Sequence, residues 1–192
     1  MEPDVYQIAE RARRGDRAAA VELIEIYYER IFAFLRRLTA QDEDAADLTQ
    51  RTFARVWQAL PTFAVRSSVS SWMHGIAYHV YVDWRRGNHH GEARSEQWWL
   101  NRPAREELPD EIVAHRDAAA VVHGLVSAME PDLRHTIYLH YYQDLTLQET
   151  ADVLGVATST VKYRLRQALT ELQRHLATCR TAPAVPTHSR IL

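Results

Sequence analysis

The chain has 192 residues, a formal net charge of −2, 46% hydrophobic residues and 25% charged residues. That balance suits one globular domain or two small ones, and it excludes fibrous, collagenous and wholly disordered chains. The longest unbroken apolar runs are about five residues, whereas a spanning helix needs about 20, and a lone Cys179 excludes an intramolecular disulfide. The acidic start, Met1-Glu2-Pro3-Asp4, has no apolar stretch behind it, so no secretory leader and a cytoplasmic location are expected.

Gly (six) and Pro (seven) are scarce and no segment alternates with strand period, so the expected fold is all-α. Residues 4–14 fit a first helix ended by Gly15. Asp16 then caps a second helix to about Leu38, with Val21, Leu23, Ile24, Tyr27, Ile31, Phe34, Leu35 and Leu38 as its buried stripe. Residues 39–44 break the chain and supply a new cap for a third helix, from about Asp44 to Leu60, where Pro61 stops it. Residues 62–70 read as a loop. Ser70 or Ser71 opens a fourth helix that runs to about Arg86, before Gly87-Asn88. Residues 88–112 lose the helical stripe and carry Pro103 and Pro109, the composition of a flexible linker, although its Trp98-Trp99 pair suggests docking on something. A second domain follows to about Ala177, and a disordered tail closes the chain. The expected organisation is two small helical domains, 1–87 and 117–177, joined by a linker over 88–116 and followed by a tail over 178–192.

Leu147 to Arg166 has the spacing of a helix-turn-helix. Two short helices crossing steeply need a small residue at the contact, a flexible one at the turn and an apolar anchor on the second helix. Ala151, Gly155 and Val161 stand at those places, with Leu154 and Leu165 completing the core and Thr158 capping the second helix. Its first turns then expose Ser159, Lys162, Tyr163, Arg166 and Gln167, where Arg and Gln read base edges and Lys holds phosphate or guanine. The charge distribution agrees. Residues 117–155 carry six acids and only Arg134, whereas 156–180 carry Glu171 against Lys162, Arg164, Arg166, Arg174 and Arg180. One basic helix thus lies in an acidic half, which favours duplex contact at that helix and weakens binding by the domain alone.

Three stretches carry a family resemblance. Asp44-Ala45-Ala46-Asp47-Leu48-Thr49-Gln50-Arg51-Thr52-Phe53 followed by Val56-Trp57, Ser71-Trp72-Met73-His74-Gly75-Ile76-Ala77 through Asp83-Trp84-Arg85-Arg86, and Met129-Glu130-Pro131 to Arg134 with Leu145 to Leu169 resemble, in order and spacing, the extracytoplasmic-function (ECF) sigma factors of the sigma-70 family. The resemblance implies a dissociable promoter-recognition subunit of bacterial RNA polymerase, with no bond-making chemistry, catalytic residue, metal or cofactor. Its first domain (region 2) would bind the clamp helices of the polymerase core through Asp44, Asp47, Leu48, Gln50, Arg51 and Phe53. The same domain would capture and melt the minus-10 element with Arg66, Ser67, Ser68, Ser70, Trp72, His79, Asp83, Arg85 and Arg86. Its second domain (region 4) would dock on the polymerase flap and read the minus-35 element through Thr158, Ser159, Thr160, Lys162, Tyr163, Arg164, Arg166 and Gln167. An anti-sigma protein covering both domains is a further implied partner.

The residues allow these roles in their own right. Asp44, Asp47, Gln50 and Arg51 share one helix face, while Leu48, Phe53 and Trp57 read first as core. The serines near Arg66 suit capture of an unstacked base, and Trp72 and Trp84 suit stacking, with Trp72 mostly packed. The sequence departs from the family at Ala46 and Arg51, which make the polymerase-facing strip less acidic, and at His79, Ser159 and Tyr163, which lie at base-reading positions. The alternative is a stand-alone helix-turn-helix transcriptional regulator with a helical sensor or dimerisation domain. A metal enzyme is a weaker rival, because the ten histidines show no His-Glu-x-x-His or Cys pairing.

Overall fold

The computed structural model describes residues 4–64, 67–87 and 110–181. Arg66, the Trp98-Trp99 pair and the tail beyond Thr181 lie outside the described residues. All regular structure among the described residues is helical.

The first unit contains α1 (Val5–Arg13), α2 (Arg17–Thr39), α3 (Asp42–Ala59) and α4 (Val69–Gly87). Asp4 accepts from the N–H groups of Tyr6 and Gln7 and starts α1. The chain then turns at Gly15, whose φ of 95° is a left-handed value. Asp16 caps α2 by accepting from Ala19 N–H at 3.1 Å. The α2 stripe is buried as expected at Leu23, Tyr27, Ile31, Phe34, Leu35 and Leu38, but Val21 is exposed. Val21 lies one turn past the helix start, off the face that meets α1 and α3.

The third helix begins earlier than expected. Gln41 precedes it without a side-chain cap, and Asp42, Glu43 and Asp44 all lie in its first turn. Carboxylates there interact favourably with the N-terminal end of the helix dipole, which compensates for the missing cap. The α-helix ends at Ala59, as expected just before Pro61, which sits inside a following 3₁₀ turn, Leu60–Thr62, where its missing N–H costs nothing. Ser68, not Ser70 or Ser71, opens the fourth helix: its hydroxyl accepts from Ser71 N–H at 3.1 Å and its carbonyl from Trp72 N–H at 3.0 Å.

The second unit contains α5 (Asp110–Ser127), α6 (Pro131–Ile137), a π turn (Tyr138–Tyr142), α7 (Leu147–Leu154) and α8 (Thr158–Thr181). Two boundaries move. The helix starting at Asp110 takes up the end of the expected linker, and α8 runs through Cys179 to Thr181, into the expected tail. Apolar Val126, Leu133, Ile137, Tyr138, Leu139, Val161, Leu165 and Ala168 form the core of this unit.

The two units are docked on each other: α4 packs against α7, and α2 against the π turn. Their buried apolar side chains form one continuous cluster.

Candidate promoter and polymerase interfaces

The helix-turn-helix is built as its spacing requires. Thr146 and Glu149 form a reciprocal capping box at the start of α7. Gly155 ends α7 at a left-handed φ of 66°, and Val156 N–H donates to Ala151 O at 3.0 Å, closing the turn. Ala151 and Val161 are buried where the helices cross, and Leu154 is only half-buried. Ser159, Lys162, Tyr163, Arg166 and Gln167 are exposed on α8, and Thr160 is half-buried. Tyr163, at 63% relative exposure, brings an aromatic ring to that face. Two expected readers are engaged elsewhere. Thr158 donates its hydroxyl to Gln148 Oε1 at 2.8 Å rather than capping its helix. Arg164 turns inward to an ion pair with Asp132 of α6, because its position falls on the side of α8 that packs on α6.

On α4, His79 is exposed, and its Nδ1–H donates to Gly75 O at 2.7 Å. This fixes the ring orientation. Asp83 is paired with Arg55 of α3 at 3.0 Å. Arg86 is exposed, and half-buried Arg85 lines a cleft with Tyr78, Tyr81, Asp132 and His135. Trp72 is half-buried against Phe63, with ring centroids 4.7 Å apart, so it is packed rather than presented. Ser67 is half-buried. Ser70 Oγ lies 3.4 Å from the His74 ring, and Ser68 donates to Glu149 of the helix-turn-helix.

On α3, Asp47, Gln50 and Arg51 are exposed along one strip beside half-buried Asp44, and Arg51 pairs with Asp47 at 2.7 Å. Burial, with the neighbouring Glu43 and Asp47, raises the Asp44 carboxyl above its ordinary value. Leu48 and Phe53 do not belong to this strip. Leu48 is fully buried, and Phe53 is buried and stacked on Tyr28 with centroids 5.9 Å apart, so both hold the helix rather than face a partner. Trp57, expected in the core, is instead 47% exposed on the same helix.

The sequence also gave no prominence to a polar seam between the units. His74 on α4 is fully buried: its Nδ1–H donates to Ser70 O at 2.7 Å, and its Nε2 lies 3.1 Å from the Gln143 side-chain amide. Arg30 of α2 donates to Gln143 O at 3.1 Å. His135 of α6 lies against Tyr78 and Tyr81 of α4, with Nδ1 3.3 Å from the Tyr78 hydroxyl. Burial lowers His74 to about 4. Burial, with Arg134, Arg85 and Arg164 nearby, lowers His135 to about 3. One signal was available in the sequence: His74 lies on the apolar stripe Val69, Met73, Ala77, Val80.

Comparison with known proteins agrees with this geometry. The Sigma-70 region 2 family model matches residues 23–90, and the Sigma-70, region 4 model matches residues 120–172. The chain is 28% identical to the ECF RNA polymerase sigma factor SigX of Bacillus subtilis over 158 residues, covering 80% of this chain and 81% of that protein. It is 29% identical to SigE of Mycolicibacterium smegmatis over 168 residues, covering 85% of this chain and 65% of that one. Its fold matches CnrH, solved with the cytosolic domain of CnrY, with a TM-score of 0.64 at 21% identity, covering 89% of this chain and 96% of that one. It also matches RpoE of Bartonella quintana, solved with the anti-sigma factor NepR, with a TM-score of 0.63 at 20% identity, covering 81% and 95% of the two chains. Both conserved regions of one family thus occur in order along this sequence, each on its own helical unit, and the chain is a member of the ECF group of sigma-70 RNA polymerase sigma factors.

Proposed function

We propose that the protein directs bacterial core RNA polymerase to specific promoters by binding alone, and that it works in the cytoplasm. Residues 1–87 form the polymerase-binding and minus-10 domain, and 117–177 the minus-35 domain. The α3 strip of Asp44, Asp47, Gln50 and Arg51, extended by Trp57, meets the polymerase clamp helices. Ser67, Ser68 and Ser70 with His79 and Arg86 handle the minus-10 strand, where an unstacked base leaves the duplex at a cost of a few kcal/mol. Lys162, Tyr163, Arg166 and Gln167 face the minus-35 major groove, and the second domain docks on the flap. An anti-sigma partner is proposed from the solved relative RpoE, whose structure holds the anti-sigma factor NepR.

The observation that carries this reading is the placement of the exposed basic start of α8 in the same chain as the hydroxyl-rich entry to α4. A stand-alone regulator needs only the first. The reading is tested by titrating promoter duplexes with the full chain, with and without core polymerase, in a mobility-shift assay. Weak binding alone and tight, polymerase-dependent binding are expected. Tight binding to specific duplexes by the chain alone, with no association with core, would establish the regulator reading instead.

A further inference from the structure

The two DNA-facing surfaces lie side by side. Ser68, at the entry to α4, donates to Glu149 of α7, and the adjacent Gln148 accepts from Thr158 at the start of α8. Elements centred at minus 10 and minus 35 are separated by about 25 base pairs, roughly 85 Å of duplex at about 3.4 Å per step. A chain in this conformation cannot reach both, so the units must part before a promoter is read. What holds them is a seam centred on two buried histidines, and that seam has a chemical property that apolar packing lacks.

We propose that docking of the second unit on α4 is a proton-sensitive autoinhibitory lock, closed while His74 and His135 are neutral and released when they are protonated. This rests on the promoter-recognition reading above and adds a regulation to it. The groups facing each ring argue for it. Around His74 stand Ser70 on its own helix, Phe34 and the cation Arg30 on α2, and the uncharged Gln143 after the π turn. Glu149 of α7 is engaged by Ser68 and Thr146. Around His135 stand Arg134 and Asp132 on α6, Arg85, Tyr78 and Tyr81 on α4, and Arg164 on α8. Asp132, the carboxylate of that group, is occupied by Arg164. His135 Nε2 is buried with no hydrogen-bond partner among the described residues. A proton on His135 therefore places a cation beside Arg134, Arg85 and Arg164, and one on His74 buries a cation near Arg30 with only the uncharged acceptors Ser70 O and Gln143 Oε1 to offset its desolvation; moving the units apart relieves both.

The sign follows from proton binding. In the open form each histidine loses its partners across the seam and titrates nearer its ordinary value of about 6.5, whereas in the closed form it resists protonation. The open form binds more protons, so closure is fully stable above about pH 6.5. Below that, the closed-to-open ratio falls by up to about tenfold per pH unit for each histidine.

Gly75 supplies the probe, because a Cβ there lies 3.9 Å from Val153 Cγ2 across the seam without a clash. In a Cys179→Ser background, Gly75→Cys is reacted with a dithiodipyridine between pH 7.5 and 5.0, with rates normalised to a free thiol. Protection should stay constant above pH 7 and fall below about 6.5, while His74→Gln with His135→Phe should keep it constant. Proton titration of the two histidine rings in the unsubstituted chain provides the same check if the double variant does not fold. Protection that is flat in the parent, that falls equally in the double variant, or that falls while both rings stay neutral would overturn proton control.

Autoinhibition is read separately. Gly75→Cys with Val153→Cys, oxidised to a disulfide across the seam, should give no promoter-specific transcripts with core polymerase, and reduction should restore them. An oxidised form as active as the reduced one would overturn the lock. Activity of the reduced form shows that the promoter-recognition reading stands in either case.

Discussion

At the scale of single residues, exposure separates the partners from the supports. Lys162 and Arg166 are exposed at the start of α8, and each should contribute differently. Lys162→Ala should weaken holoenzyme binding to all minus-35 sequences alike and lower the salt slope by about 1. Arg166→Ala should cost about 1–3 kcal/mol at one base position and relax specificity there, as measured against a panel of single-base substitutions. Leu48 behaves oppositely. Because it is fully buried, Leu48→Ala should cost about 2–5 kcal/mol of stability in denaturant unfolding, and any loss of polymerase binding should follow from unfolding. The sequence showed which residue types stood in the α3 motif. It did not show which of them face outward, because Leu48, Phe53 and Trp57 are equally apolar and only packing against α2 distinguishes them.

At the scale of elements, local chemistry was legible wherever one residue dictates a backbone geometry. Spacing alone places the turn at Gly155, and its left-handed φ of 66° is the backbone that requires a glycine there. Gly155→Ala has open space for its methyl group but must hold a left-handed backbone. It should therefore destabilise the chain by about 1–2 kcal/mol, visible as a lower melting temperature. Starts without a strong cap were less legible. The α3 start moved to Asp42 because three carboxylates can share a helix N-terminus without any of them capping it. The α4 start moved to Ser68 because a run of serines offers several equivalent caps. Arg164 was expected to face DNA because charge alone does not reveal which side of a helix meets its neighbour.

At the scale of the molecule, the two-domain organisation was legible and the docking was not. Period and composition predict each unit, whereas contacts between Ser68 and Glu149, or His74 and Gln143, join residues about 70 to 80 positions apart that no local pattern links. The docked seam has a consequence for the whole chain. Burial holds His74 at about 4 and His135 at about 3. Unfolding exposes both, so the unfolded chain binds more protons between those values and about 6.5. Stability should be constant above about pH 6.5 and fall below it, by up to about 1.4 kcal/mol per pH unit per histidine. Urea unfolding followed by circular dichroism from pH 8 to pH 5 would measure this.

We propose that one chain carries two promoter-reading surfaces and uses them on RNA polymerase. The most direct test of this is transcription by purified core polymerase plus this protein across a genomic promoter pool, with start sites mapped by sequencing. Discrete, protein-dependent starts preceded by two sequence motifs are expected. Arg166→Ala should alter the upstream motif, and a substitution at His79 the downstream one. Starts that do not depend on the protein, or a single motif bound equally well without polymerase, would contradict it.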